Sequence, residues 1–186
     1  MSNKPSRLPY VLAVLAAITI VSAAWLSRNR IRPVIAGERA PEFVVQDAAG
    51  NDVTLADYQD KVILLNIWAT WCAPCRAEMP SMERLYQQFP GEDFEVVAIS
   101  VDAPEGQFDA FGYQGGDPDR FAKEIGTTFT ILRNPGGEIR RTYQTTGVPE
   151  SFLIGRDGVI YKKVAGETRW DTDANADLVR RLLEGQ

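Results

Sequence analysis

Cys72 and Cys75 are the only two thiols in this chain of 186 residues, and two residues separate them. They follow an apolar run over residues 62–68 and stand at the start of a segment with helical spacing of apolar side chains, from Ala73 onward. Cysteine at a helix N-terminus meets the positive end of the helix dipole and free backbone N–H groups, which stabilise a thiolate. The pattern indicates thiol–disulfide exchange. Cys72 is expected to be the exposed nucleophile of low pKa, and Cys75, one turn further on, the shielded resolving thiol.

The composition excludes several other uses of cysteine. The chain contains no histidine, which removes Cys-His hydrolase chemistry, histidine metal sites and haem ligation by a protein imidazole. Arg76 follows Cys75, where covalent haem attachment would need histidine. Two thiols cannot complete a four-thiolate zinc site within one chain.

The charge distribution separates the first 32 residues from the rest. Five of the 20 basic residues and no acidic residue lie in 1–32, which leaves 15 basic against 25 acidic side chains, a net charge of −10. An acidic body lacks the basic face that nucleic-acid binding requires, so no nucleic-acid partner is expected.

A 17-residue uncharged segment over 10–26 follows the basic N-terminal tail, 1–9, and precedes Arg28, Arg30 and Arg32. As a helix it would extend ~26 Å, close to the thickness of a bilayer core. It is either an uncleaved signal anchor or a signal peptide with small residues at 21–23 as the cleavage site. Either form is expected to export the remainder of the chain, namely a tether over 27–37 and a domain over 38–186.

The remaining patterns alternate between strands and helices. The long segment over 103–118 contains three aromatic residues and is either a functional loop or a packed surface elaboration. The order of elements predicts an α/β fold with a mixed central sheet flanked by helices. The expected strands cover 42–45, 53–55, 62–68, 94–101, 128–132, 151–154 and 159–164, and the expected helices cover 73–89, 117–125 and 171–183.

Two separated segments carry a resemblance to a known family. Residues 66–80, Asn-Ile-Trp-Ala-Thr-Trp-Cys-Ala-Pro-Cys-Arg-Ala-Glu-Met-Pro, are similar to the active-site segment of the membrane-anchored thioredoxin-like proteins TlpA, ResA and CcmG (also called DsbE). Residues 146–152, Thr-Gly-Val-Pro-Glu-Ser-Phe, resemble the cis-proline segment of the same proteins. The resemblance covers about 38–184. It implies a thioredoxin-like fold with an N-terminal β-hairpin extension and an N-terminal transmembrane or signal segment.

The resemblance also implies roles for residues around the two cysteines. Cys72 and Cys75 are expected to form a redox-active disulfide, with no other cofactor and no metal. Pro149 is expected to be cis and to face the dithiol, with the Val148 backbone free to pair with a substrate strand. Trp71 and Pro74 are assigned to the same substrate-binding surface.

Three further residues are expected to tune the dithiol. Glu78 and Glu150 correspond to acidic residues near the dithiol in ResA-like and CcmG-like proteins. Asn66 stands where cytoplasmic thioredoxin has a buried aspartate. Because an amide cannot titrate, proton transfer must involve Glu78, Glu150 or water.

The implied function is reduction of disulfides in exported proteins such as apocytochrome c, with electrons from a membrane thiol donor. The implied location is the bacterial inner membrane, with a single pass through residues 10–26 and the domain facing the periplasm. Two alternatives remain: a copper chaperone or copper-site assembly factor that binds the metal through Cys72 and Cys75, and a thiol peroxidase. The peroxidase motif has proline and threonine where this chain has Leu65 and Ala69, which argues against peroxidase activity.

Overall fold

A computed structural model describes residues 8–28, 33–109 and 111–185. The chain forms two compact units, Met1–Pro33 and Val34–Gln186. The first unit contains helix α1, Leu8–Arg28. No helix within the described residues meets the requirements of length and apolar content for crossing a membrane. Most of the basic tail (1–7) and part of the predicted tether (29–32) lie outside the described residues.

The second unit is an α/β domain built on one seven-stranded sheet. Its strands are β1 Val44–Gln46, β2 Asp52–Thr54, β3 Val62–Trp68, β4 Phe94–Ser100, β5 Thr130–Arg133, β6 Glu150–Ile154 and β7 Ile160–Ala165. Its helices are α2 Ala73–Tyr86, α3 Pro118–Ile125, α4 Glu138–Thr142 and α5 Asp173–Leu183, with a 3₁₀ turn over Leu55–Tyr58.

The strand order across the sheet is β2-β1-β5-β4-β3-β6-β7. The three strands β3, β4 and β5 are parallel, whereas β6 and β7 on one side and β1 and β2 on the other are joined by antiparallel pairing. All seven residues of β3 are buried, as expected for a central strand covered on both faces. The mixed sheet is the architecture predicted from the order of the elements.

Alternate residues of the central strands contact opposite layers. On one face, Trp68 of β3 packs against Phe121 of α3, with ring centroids 5.4 Å apart. On the other face, Phe152 of β6 meets Tyr143, which follows α4, at 5.0 Å. The sheet thus lies between two layers of helices and loops. The turn that contains the cysteines begins at the carboxyl end of β3.

The observed element bounds correct several expectations. The first strand covers Val44–Gln46 instead of 42–45. The second covers Asp52–Thr54 instead of 53–55, because Leu55 enters the 3₁₀ turn rather than the strand. Helix α2 ends at Tyr86 instead of residue 89. Pro90 disfavours helical backbone at the residue before it, so the helix ends ahead of that position. Helix α4, which the sequence analysis did not predict, has only five residues and buries only Ile139.

The domain also begins earlier than the predicted boundary at residue 38. Val34 is buried, and its carbonyl accepts a hydrogen bond of 2.9 Å from Lys163 of β7. The backbone of Gly37 donates to the carbonyl of Ile160 at 2.8 Å. The last residues of the predicted tether therefore form part of the compact domain.

Candidate active site

The two cysteines form a disulfide, with the sulfur atoms 2.08 Å apart. Cys72 is the N-cap residue of α2, and its Sγ accepts a hydrogen bond of 3.2 Å from the backbone N–H of Cys75. Pro74 lies in the first turn, where a missing N–H costs no helical hydrogen bond. The strand-to-helix position predicted for the dithiol is therefore confirmed.

The expected exposure of Cys72 is wrong for the disulfide form. Cys72 is 5% exposed and Cys75 is fully buried. The bond to Cys75 holds the Cys72 sulfur over the first turn of α2, which limits its contact with solvent. Cys72 is nevertheless the more accessible of the two, as the assigned roles require.

The Val148–Pro149 peptide bond is cis, as predicted. The antiparallel register of β6 and β3 pairs Glu150 with Ile67. Pro149 directly precedes β6 and therefore lies alongside Trp68, the last residue of β3. At this end of the two strands the chain turns from β3 toward Cys72. Val148 is half-buried, and the Pro149 carbonyl accepts a hydrogen bond of 2.8 Å from the backbone of Gly166.

Glu78 is buried beneath the dithiol in a network of neutral donors. Its Oε1 accepts a hydrogen bond of 2.8 Å from the side-chain amide of Asn66, and its Oε2 accepts one of 3.1 Å from the backbone of Thr168. The Asn66 amide also donates to Ser151 Oγ at 2.9 Å. Burial raises the pKa of Glu78 to about 7, and these hydrogen bonds offset only part of that effect. Glu78 is thus a carboxyl group that can change protonation state near neutral pH.

Glu150 lies on the other face of the sheet. Its Oε1 is 3.0 Å from Lys163 Nζ, and its Oε2 accepts a hydrogen bond of 3.1 Å from the backbone of Thr146. The ion pair connects β6 to β7, and the hydrogen bond from Thr146 holds the start of the segment that leads to the cis proline. The side chains of Glu78 and Glu150 therefore belong to separate networks.

Asp102 is a site residue that the sequence analysis missed. Its carboxylate accepts hydrogen bonds from the Thr70 backbone at 2.8 Å, Thr70 Oγ1 at 2.5 Å, Ser100 Oγ at 2.6 Å and the Gly116 backbone at 3.2 Å. It thereby connects the turn before Cys72 to the end of β4 and to the long loop. Its position just after β4 could have identified it from the sequence. The carboxyl ends of parallel strands lie at the same end of the sheet, where Cys72 also lies.

The long loop contacts the residue next to the nucleophile. Tyr113 stacks on Trp71 with ring centroids 4.1 Å apart and planes at 9°. The loop is therefore adjacent to the dithiol on the β4 side, whereas the cis proline lies on the β6 side. Trp71 is half-buried and Pro74 is exposed, so both have surface available to a bound polypeptide.

The surroundings of Cys72 differ from those of a thiol peroxidase. Ala69 has no hydroxyl, and the hydroxyl of Thr70 is bound to Asp102, so neither is free to activate a peroxide. Over residues 8–28, 33–109 and 111–185, no group of three or more cysteine or carboxylate side chains could hold a metal ion. A disulfide at a helix N-terminus beside a cis proline instead defines a thioredoxin-like thiol-disulfide oxidoreductase.

Comparisons with known proteins agree with this class. Residues 36–163 match the AhpC/TSA family. The chain is 35% identical over 131 residues, 70% of each chain, to thiol-disulfide oxidoreductase ResA of Bacillus thuringiensis subsp. konkukian. It is 30% identical over 177 residues, 94% of each chain, to ResA of Geobacillus kaustophilus.

A solved structure from Chlorobium tepidum, of the thiol:disulfide interchange protein DsbE, superimposes with a TM-score of 0.65 at 31% identity. The match covers 80% of this chain and 97% of that one. The chain belongs to the AhpC/TSA family and, within it, to the thioredoxin-like oxidoreductases of the TlpA/ResA/CcmG type.

Proposed function

We propose that this oxidoreductase reduces disulfides of exported polypeptides and that the cysteine pair of an apocytochrome c is among its substrates. The proposal is supported by the Cys72–Cys75 disulfide at the N-terminus of α2 and by the cis Val148–Pro149 bond at the start of β6, the strand that pairs with β3. A polypeptide strand could pair with the Val148 backbone while its disulfide meets Cys72.

The reaction consists of two thiol–disulfide exchanges. The Cys72 thiolate attacks one sulfur of the substrate disulfide, forms a mixed disulfide and releases the other sulfur as a thiolate. Cys75 then attacks Cys72 Sγ, which releases the second substrate sulfur and closes the Cys72–Cys75 disulfide. Two electrons pass from the protein to the substrate, and a membrane thiol donor restores the dithiol.

The position of Glu78 on α2 supports a role in the transfer of the Cys75 proton. It follows Cys75 by three residues on α2, so the two side chains lie on the same face of the helix. A carboxyl with a pKa of about 7 accepts a proton readily at neutral pH. We infer that Glu78 takes the Cys75 proton as that thiol becomes the second nucleophile.

The proposed location is the bacterial inner membrane, with the domain on the periplasmic side. Support comes from the sequence: an uncharged segment over 10–26 follows Lys4 and Arg7 and precedes an arginine cluster. Mass spectrometry of the protein from its host tests the form of this segment. An intact N-terminus indicates an anchor, loss of about 23 residues indicates a cleaved signal peptide, and protein found in the cytoplasm would contradict export.

The functional test uses the full chain with its dithiol reduced. An oxidised peptide that contains an apocytochrome haem-binding cysteine pair should be reduced stoichiometrically, whereas Cys72→Ser should be inactive. Cys75→Ser should accumulate the mixed disulfide on Cys72, and the same variant expressed in the host would trap natural substrates. Stoichiometric retention of Cu(I) without peptide reduction would contradict the proposal and favour the copper chaperone.

A further inference from the structure

A groove with a volume of about 290 Å³ lies beside the dithiol on the β4 side. Trp71 and the returning end of the long loop form one part of its lining, and Arg76, Arg120 and Phe121 form another. The cis-proline segment lies on the other side of β3, because β4 and β6 flank that strand. A polypeptide that binds along the cis proline and continues past Cys72 therefore reaches this groove.

Arg76 differs from the other arginine of the groove in its charge partners. Arg120 lies 3.4 Å from Glu105 and 4.0 Å from Glu124. The guanidinium of Arg76 is placed over the ring of Phe121, 5.0 Å from its centroid. In the described part of the chain, no carboxylate lies within ion-pair distance of Arg76. Of the two arginines of the groove, Arg76 is thus the one without an ion pair among the described residues, and an aromatic ring supports its guanidinium. The carboxylates that also line the groove, Asp117 and Glu124, lie within ion-pair distance of Arg133 and Arg120.

The same arginine is tied to the nucleophile by the geometry of α2. Its backbone N–H donates to the carbonyl of Cys72 at 3.2 Å, so the two residues are one helical turn apart. A side chain that binds Arg76 must therefore belong to a residue close to the disulfide that Cys72 attacks. A planar guanidinium held over a ring is suited to bind a carboxylate through two parallel hydrogen bonds.

We propose that Arg76 is a specificity-determining residue that binds a glutamate or aspartate flanking the substrate disulfide. This inference rests on the proposed function, because it concerns which disulfides the same dithiol prefers. Phe121 holds the guanidinium at the groove, and Trp71 borders the path from Cys72. An acidic side chain next to the substrate cysteine gains a contact with the guanidinium of Arg76. Elsewhere on the domain, the excess of carboxylates repels such a side chain.

The test compares disulfide peptides that differ in one flanking residue. Peptides with an intramolecular Cys-Ala-Ala-Cys disulfide carry either glutamate or glutamine on one side of the cysteine pair, and a second set carries them on the other side. The rate constant for reduction by the full-length reduced protein is measured at low ionic strength. The glutamate peptide should react about threefold to fivefold faster on at least one side, the range of an exposed ion pair. The ratio should approach one in 1 M salt.

Three variants separate this contact from general charge effects. Arg76→Gln should abolish the preference for glutamate, and Arg76→Lys should restore part of it. Arg84→Gln, an equal change of charge about 12 Å further along α2, should keep the wild-type ratio. Absence of a preference in the wild type, or a preference that survives Arg76→Gln, would overturn the inference. Failure to reduce even the glutamine peptides would instead overturn the proposed function, and the inference with it.

Discussion

The side-chain amide of Asn66 donates a hydrogen bond of 2.8 Å to the carboxylate of Glu78 beneath the active-site disulfide. The same amide donates to Ser151, so one residue of β3 connects α2 to β6. Asn66 cannot exchange a proton, and its Oδ1 is buried with no hydrogen-bond partner among the residues that the structure describes. Among these three contacting residues, Glu78 is therefore the group whose charge changes near neutral pH.

Glu78→Gln should change the pH dependence of exchange above pH 7. Burial raises the pKa of Glu78 to about 7, so its negative charge is present mainly above that pH and there opposes formation of a nearby thiolate. For the first exchange, measured as formation of the mixed disulfide on Cys72, the variant should shift the pH–rate profile to lower pH, with little difference from wild type well below pH 7. Glu92→Gln, an exposed carboxylate just before β4, is the matched control. An unshifted profile would leave Glu78 without a role in tuning.

The same substitution should weaken the pH dependence of the free energy of unfolding. The pKa of Glu78 rises from 4.5 to about 7 on folding, so the folded state favours the protonated form. Its contribution to stability is complete below pH 4.5 and is lost as the pH rises through about 7. Glu78→Gln removes this titration, so its free energy of unfolding should fall less than that of wild type between pH 5 and pH 8. Urea unfolding at both pH values measures the fall for each protein, and equal falls for the two proteins would contradict the prediction.

The part of the fold that the sequence predicted well depends on strong local patterns. The range of β3 was predicted without error because a run of seven mostly apolar residues has the length of a strand buried on both faces and is short for a helix. The position of Cys72 at the start of α2 followed from the same junction. Helix α4 was missed because five residues cannot show a helical period, and it starts from Gly137 at a left-handed φ of 67°.

The contacts that complete the site are distant in sequence, and no local pattern contains them. Asp102 lies 32 residues from Thr70, and Glu150 meets a lysine of the next strand. The stacking of Tyr113 on Trp71 decides that the long loop borders the dithiol, which the sequence analysis left open. Such pairings depend on which strand ends share an edge of the sheet, and that becomes known only from the full topology.

Asp102→Asn should destabilise the domain and slow exchange. The two carboxylate oxygens of Asp102 accept two hydrogen bonds each. In asparagine an NH₂ group replaces one of these oxygens and would face the donors that bind there. Leaving buried donors unpaired costs about 1–3 kcal/mol in the free energy of unfolding. Because Thr70 begins the turn to Cys72, the reduction rate should fall as well. Asp109 is a half-buried residue of the long loop that accepts hydrogen bonds through Oδ1 alone, an acceptor that asparagine retains. Asp109→Asn should therefore change stability by less than ~0.5 kcal/mol. Equal stability of the two variants would show that Asp102 does not hold the turn.

Glu150→Gln should reduce stability without shifting the pH–rate profile. Glu150 is buried, paired with Lys163 and bonded to the Thr146 backbone, on the sheet face away from Glu78. Breaking a largely buried pair from one side should cost about 1–3 kcal/mol of unfolding free energy. Lys163→Gln and the double variant complete a thermodynamic cycle for the pair. A shift of the profile comparable with that of Glu78→Gln would instead support the tuning role predicted for Glu150 from the sequence.

Cys72 of the reduced protein should react with iodoacetamide much faster than Cys75 near pH 7. Cys72 is the N-cap of α2, where the backbone N–H of Cys75 points at its sulfur, and it keeps some contact with solvent. Cys75 is fully buried inside the first turn and lies next to Glu78, whose negative charge opposes a second thiolate nearby. The measurement is the rate of alkylation at each cysteine, followed by mass spectrometry of peptides after quenching. Cys72→Ser should react at the slow rate of Cys75, and Cys75→Ser should keep fast labelling at Cys72. Equal rates at the two cysteines, or faster labelling of Cys75, would reverse the assignment of nucleophile and resolving thiol.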